Sequence, residues 1–235
     1  MEYSVVIPVF NEEGSLEILQ GQLSSILDKI TDDYEIIYVD DGSTDSSLEI
    51  LKKLKSKYQK IKIISLKRNY GQSAAFFAGF KYAKGAWLIT LDSDLQNPPD
   101  QILALIKEKD NFDFITGVRK KRKDNFLKKV SSKIARFFRW LILADVTLDT
   151  GCSLRLFKRE IIDVIPFFKN FHRFFTFLVR NFGFKIKEIE VEHNRRMIGK
   201  SKYTTLKRLK EGIFDLIGVF WLKRRLIKIK IKYEG

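Results

Sequence analysis

The chain has 235 residues, with 44 Lys and Arg against 29 Asp and Glu, giving a net charge of +15. A content of 45% hydrophobic and 31% charged residues excludes a disordered tail or a collagen-like chain. A single cysteine, Cys152, excludes an intramolecular disulfide framework and a cysteine-based zinc site. The charge is divided unevenly: residues 1–118 carry 13 basic and 18 acidic side chains, and residues 119–235 carry 31 and 11. A basic half of this kind asks for a polyanionic partner, and nucleic acid, an anionic membrane and phosphorylated substrates all qualify.

Short apolar runs alternate with helical patterns through the first half. Tyr3–Pro8, Glu35–Val39, Ile61–Leu66, Ala86–Leu91 and Phe112–Thr116 read as strands. Between them, Leu16, Ile18, Leu19, Leu23, Ile26, Leu27 and Ile30 fit one helix face. Thr44 onward, Ser73–Ala83 and Pro98–Lys109 supply further helices. This alternation implies βαβ units, an α/β chain and a mainly parallel sheet flanked by helices. The second half opens with an amphipathic helix candidate, Asn125–Leu143. Strands at Ser153–Phe157 and Lys185–His193 follow, on either side of a Phe-dense stretch, Pro166–Phe184. Asn194–Lys202 is a basic loop, and Thr204–Leu222 is a second amphipathic helix candidate. With no repeat and no flexible linker, one domain is expected, in two halves divided at residue 118.

No apolar run approaches the roughly 18–20 residues that span a bilayer. Met1-Glu2-Tyr3 leads straight into an apolar run, without the form of a signal peptide. The expectation is a cytosolic protein, soluble or bound to a membrane surface. The two amphipathic helices set apolar faces beside many cations, as interfacial helices do, although the same pattern also fits packing on the sheet. The Phe-dense stretch is open in the same way, between core and a groove for lipid.

Three polar turns fall at strand ends, where ligands bind parallel sheets. Asp92-Ser93-Asp94-Leu95-Gln96 follows the fourth strand. Two carboxylates and an amide at alternating positions suit a hard cation that shares its coordination with a diphosphate. Val39-Asp40-Asp41-Gly42-Ser43-Thr44-Asp45 ends the second strand. Helix capping explains its Ser and Thr, while Asp40 and Asp41 are placed to accept hydrogen bonds from a base or ribose. Pro8-Val9-Phe10-Asn11-Glu12-Glu13 opens the first helix, and Arg68-Asn69-Tyr70-Gly71-Gln72 puts a cation and a Gly turn at the third strand's end. GxGxxG and GxxxxGK[ST] are both missing, which disfavours dinucleotide-binding and P-loop chemistry. His172 and His193 read as structural or surface residues, and Cys152 as a small buried hydrophobe.

In this order, the turns resemble the family 2 glycosyltransferases. The residues that carry the likeness are VVIPVFNEE (5–13), VDDGSTD (39–45), RNYGQSAAFFAGF (68–80), LDSDLQNPPD (91–100) and TGVR (116–119). It continues through DTGCSLRLFKRE (149–160), HRFF (172–175) and RRMIGKSKY (195–203), so nearly the whole chain is covered. Asp-x-Asp-x-Gln, DTGCSLR and GKSKY are most similar to the polyprenyl-phosphate branch, which includes dolichol-phosphate mannose synthases and bacterial undecaprenyl-phosphate sugar transferases. Gln-x-x-Arg-Trp, the mark of processive polysaccharide synthases, is absent.

The resemblance implies a single GT-A-like domain and inverting transfer of a sugar from GDP-mannose or a UDP-hexose to a polyprenyl phosphate. It implies that Pro8, Phe10, Asn11 and Glu13 border the nucleotide, with Asp40, Asp41 and Arg68 beside them. Asp92 would lie by the diphosphate, Asp94 and Gln96 on a Mg²⁺ or Mn²⁺ ion, and Arg119 opposite the phosphates. Lys128, Lys129, Ser131, Ser132, Arg195, Arg196, Lys200 and Lys202 would receive the lipid phosphate. Family members often carry Arg at the helical Lys position, a departure that weakens that part of the carry-over. Expected partners are therefore a nucleotide sugar, a polyprenyl phosphate and the anionic, cytoplasmic face of a membrane. Nucleic acid is not among them, since the basic half has no nucleic-acid-binding motif and its aromatics are mainly Phe on apolar faces. The alternative within the family is a non-polyprenyl glycan acceptor. Many relatives continue into transmembrane helices about where this chain stops, at Tyr233-Glu234-Gly235.

Overall fold

The structure, a computed structural model, describes residues 1–119, 126–194 and 205–226, apart from the side chains of 126–133 and 205–211. Seven strands form one sheet: β1 (Tyr3–Val9), β2 (Tyr34–Asp40), β3 (Ile61–Ser65), β4 (Trp87–Thr90), β5 (Phe114–Arg119), β6 (Arg155–Lys158) and β7 (Ile186–Val191). Their order is β3-β2-β1-β4-β6-β5-β7. The first four are parallel, β6 runs antiparallel to both β4 and β5, and β5 is parallel to β7. The helices are α1 (Leu16–Leu27), α2 (Ser47–Lys57), α3 (Gln72–Tyr82), α4 (Ile102–Ile106), α5 (Phe126–Leu143), α6 (Ile161–Val164), α7 (Phe175–Asn181) and α8 (Thr205–Arg225).

β1 and β2 are almost wholly buried because both faces of the sheet are covered. On one face Val5, Ile7, Ile36 and Tyr38 pack with Leu16, Leu19 and Leu23 of α1 and Leu51 of α2. On the other, Val6, Ile37 and Val39 pack with Phe76 and Phe80 of α3 and with the phenylalanines of the second half. The Phe-dense stretch is largely core: Phe171, Phe174, Phe175 and Phe177 are buried. Phe175 meets Phe114 and Phe157 edge-on, at centroid distances of 5.2 and 5.1 Å.

Two expectations need correction. Ile18 is 49% exposed, and Gln20 takes its place in the core. The amide is tolerated because its Oε1 accepts a hydrogen bond from Tyr38 Oη at 2.9 Å. The helix expected over Pro98–Lys109 is shorter: a 3₁₀ turn at Pro99–Gln101 leads into the five residues of α4. The fixed φ of proline suits that tight start.

The ends of α5 and α8 lie together, and Lys223 Nζ donates to the carbonyl of Leu143 at 2.7 Å. α8 buries Leu216 and Val219. Its other side exposes Ile213, Phe214, Ile217 and Trp221, while α5 exposes Ile134, Phe137, Phe138, Trp140 and Leu141. Among the described residues, no helix is long and apolar enough to cross a membrane.

Candidate nucleotide-sugar site

Three polar turns meet at the carboxyl ends of β1, β2 and β4, and side-chain hydrogen bonds join them. The backbone N–H of Asn11 donates to Ser43 Oγ at 3.0 Å, and Asn11 Oδ1 accepts the Thr44 N–H at 2.7 Å. Glu12 N–H donates to Ser47 Oγ at 2.9 Å, and Glu13 accepts the Ser46 N–H at 2.9 Å. Asn11 adopts the left-handed region, φ 53°, which asparagine tolerates. Asn11 and Glu13 therefore splice the first turn to the second. Pro8 and Phe10 sit half-buried beside them.

Asp40 and Asp41 both point inward. Asp40 accepts from the Ser43 N–H at 3.1 Å and from Ser65 Oγ at 3.1 Å. Asp41 accepts the N–H groups of Tyr70 and Gly71 at 2.7 and 2.8 Å. Burial still pushes its carboxyl up, against those hydrogen bonds. Between the turns, a Cβ on Gly42 (φ +68°) would lie 2.4 Å from the Arg68 carbonyl carbon, so only glycine fits. Arg68 is exposed, stacked over the ring of Tyr70 at 5.1 Å.

The turn after β4 is built the other way round. Ser93, Leu95 and Asn97 are buried, while Asp92, Asp94 and Gln96 are half-exposed. The inward residues anchor it: Ser15 Oγ donates to the Ser93 carbonyl at 2.6 Å, and Ser93 Oγ donates to the Pro8 carbonyl at 3.0 Å. Asn97 Nδ2 donates to Ser153 Oγ at 3.0 Å. Leu95 has φ 60°, a conformation disfavoured for a γ-branched residue and held here by those anchors. Asp92 Oδ1 accepts from Gln72 Nε2 at 2.8 Å. Burial, followed by repulsion from Asp94, pushes the Asp92 carboxyl above its ordinary range, and Ser153, Arg155 and Arg119 offset this in part.

Asp94 and Gln96 present oxygen donors two residues apart. Gln96 is tied to Asn194 in both directions, accepting its N–H at 2.7 Å and donating Nε2 to its carbonyl at 3.3 Å. Among the described residues, no three His, Cys, Asp or Glu side chains cluster as a metal cage. One carboxylate and one amide oxygen fit a hard divalent ion that completes its shell with water and phosphate, and do not fit a zinc site.

Arg119, the last residue of β5, grips Asp149 with Nε at 2.7 Å and Nη2 at 2.8 Å. Burial pushes Asp149 up, but the Arg119 hydrogen bonds and charge outweigh it and bring the carboxyl down to about 2. The pair sets the turn's shape, because a Cβ on Gly151 would lie 2.5 Å from Arg119 Nη2. Cys152 is buried, and its thiol is pushed up to about 11 by burial.

Sequence reasoning named the motifs but missed several members of the site: Gln72, Asn97, Asp149, Ser153 and Asn194. Each stood inside or beside a motif, but nothing in a linear pattern shows which turn it reaches. Lys128, Lys129, Ser131 and Ser132 fall on α5 with side chains outside the described residues. Arg195, Arg196, Lys200 and Lys202 lie wholly outside them, just after Asn194.

Residues 4–165 match the model of glycosyl transferase family 2. Undecaprenyl-phosphate 4-deoxy-4-formamido-L-arabinose transferase of Aeromonas hydrophila is 38% identical over 216 residues, 91% of this chain and 66% of that protein. The Pseudomonas fluorescens protein of the same name is 40% identical over 216 residues, 91% of this chain and 63% of its own length. The chain thus spans about two thirds of the length of these relatives. Among solved structures, glucosyl-3-phosphoglycerate synthase from Mycobacterium tuberculosis with Mn²⁺, UDP and phosphoglyceric acid aligns with a TM-score of 0.71 at 16% identity, covering 96% of this chain and 79% of that one. The same synthase with Mg²⁺ and UDP aligns at 0.69 and 16%, covering 94% and 79%. These structures share the fold, a GT-A-like sheet flanked by helices, and the sequence matches carry the kinship: the chain belongs to glycosyl transferase family 2.

Proposed function

We propose that the protein transfers a sugar from a nucleotide sugar to a polyprenyl phosphate at a membrane surface. The observation that carries the reading is the outward set Asp92, Asp94 and Gln96, held on a strained turn at the end of β4, with Arg119 at the end of β5, two strands away across β6. Relatives named for transfer to undecaprenyl phosphate support the acceptor class. In this reading the acidic half, residues 1–118, takes the donor, and the basic half, residues 119–235, takes the acceptor and the membrane.

A phosphate monoester has a second pKa near 6, so at neutral pH it is mostly a dianion. One of its oxygens forms a bond to C1 of the sugar as the bond from C1 to the nucleoside diphosphate breaks. The nucleophile arrives deprotonated, and no general base is required. Catalysis is then positioning and charge compensation. Asp94 and Gln96 would hold the divalent ion, which when bound offsets the charge developing on the diphosphate. Arg119, fixed by Asp149, presents a preoriented guanidinium to the phosphates. Gln96, bonded to Asn194, joins the donor turn to the basic segment that starts at Arg195. The exposed Trp140, Trp221 and Phe214 suit the bilayer interface, where aromatic side chains are favoured.

Calorimetric titration with UDP and GDP tests the donor half. Binding that requires Mg²⁺ or Mn²⁺ and is lost in Asp94→Ala is expected. Equal binding with and without metal would contradict the reading.

A further inference from the structure

Arg155 lies at the centre of the sheet, opposite Thr90 of β4 and Thr116 of β5. It is 2% exposed, and no carboxylate lies within ion-pair distance of it among the described residues. Its Nε is buried without a hydrogen-bond partner. Its Nη2 donates to the His172 carbonyl at 3.1 Å, and its guanidinium sits over the Phe175 ring at 5.7 Å. A buried guanidinium without a direct ion pair is costly where an apolar side chain would pack, so packing does not explain it.

What it reaches does. His172 Nδ1 lies 2.7 Å from Ser73 Oγ, 99 positions away in the chain. Ser73 and Gln72 form the first turn of α3, and Gln72 Nε2 holds Asp92 Oδ1 at 2.8 Å. On the other side, Thr90 Oγ1 donates to the Ser153 carbonyl at 2.5 Å. Arg155, His172, Ser73, Gln72 and Asp92 therefore form a ring around the end of β4, closed by the strand pairing of Thr90 with Arg155. We propose that Arg155 is a positioning residue, acting through His172 and Ser73 to set the Asp92 carboxylate against the donor; the assignment rests on the transfer reaction proposed above.

Arg155→Met and Arg155→Lys test this, together with Ser73→Ala at the rim. Arg155→Met is expected to melt no lower than wild type, because an apolar chain of similar length fills the slot. Its kcat is expected to fall about 30-fold, with KM for the donor changed less than about threefold, as for a misplaced group. Arg155→Lys recovers part of the loss. Ser73→Ala lowers kcat about tenfold, and combined with Arg155→Lys it costs less than the product of the two. Should Arg155→Met not fold, Ser73→Ala and the double variant decide. Wild-type kcat in Ser73→Ala, or losses that multiply, would overturn the ring. Crystal structures give a reading without turnover: in Arg155→Met the Gln72–Asp92 hydrogen bond opens beyond 3.5 Å, and its survival at 2.8 Å refutes the proposal. A wild-type protein that transfers no sugar speaks against the proposed reaction, and the crystal structures still decide the ring.

Discussion

The turn after β2 carries Asp40, Asp41 and Asp45; the turn after β4 carries Asp92 and Asp94. In the first, carboxylates receive backbone N–H groups from Ser43, Tyr70, Gly71 and Ser47. In the second, Asp92 is held by the side chain of Gln72, and Asp94 and Gln96 stand half-exposed. The difference teaches that acidic turns at the same edge of one sheet divide the labour. One turn uses its carboxylates to hold neighbouring loops; the other leaves Asp94 and Gln96 half-exposed, and under the proposed function these face the ligand.

Substitution separates the two. Asp94→Ala is expected to lower sugar transfer about a thousandfold, the range for removing a preorganised electrostatic group, with Tm essentially unmoved. Loss of Tm with activity retained would put Asp94 in the structural class. Asp149→Asn breaks the buried pair with Arg119 and is expected to cost about 3 kcal/mol in urea unfolding. The same pair shapes the acid limb. The folded pKa of Asp149, about 2, lies below its ordinary 3.8. Its contribution is therefore complete above about pH 4 and lost as pH falls toward 2, about 2 kcal/mol in all. In Asp149→Asn that part of the acid limb should flatten.

Asp41→Ala leaves the N–H groups of Tyr70 and Gly71 unpaired, and chemical denaturation should show a loss of about 2 kcal/mol. Unchanged stability with lost donor binding would move Asp41 into the ligand-binding class. Asp45→Ala removes a hydrogen bond to the Ser47 N–H at the start of α2 and should cost about 1 kcal/mol.

The strands were legible because β1, β2 and β4 are apolar runs covered on both faces. The polar turns were legible because they follow apolar runs, and Asp40, Asp41, Asp92 and Asp94 exceed what helix capping requires. The direction of each carboxylate was not, since DDGSTD and LDSDLQN differ little as patterns while their partners come from Tyr70, Gly71 and Gln72. Gln20 entered the core through a partner 18 positions away, which helical periodicity does not register. The apolar stripes of α5 and α8 fit burial and exposure equally well as sequence, and contacts alone separate Leu216 and Val219 from Phe214 and Trp221. The ring through Arg155 joins β6, α3 and the 3₁₀ turn Phe171–Arg173, and no single motif contains it.

The most direct test of the central claim is a transfer assay with a short undecaprenyl phosphate, Mg²⁺ or Mn²⁺ and a panel of UDP- and GDP-sugars, read by mass spectrometry of the lipid product. The account predicts one donor class yielding a glycosyl phosphodiester lipid, with the product lost in Asp94→Ala. Sugar transfer to a glycan or small phosphorylated acceptor, with none to the lipid phosphate across the panel, would contradict it.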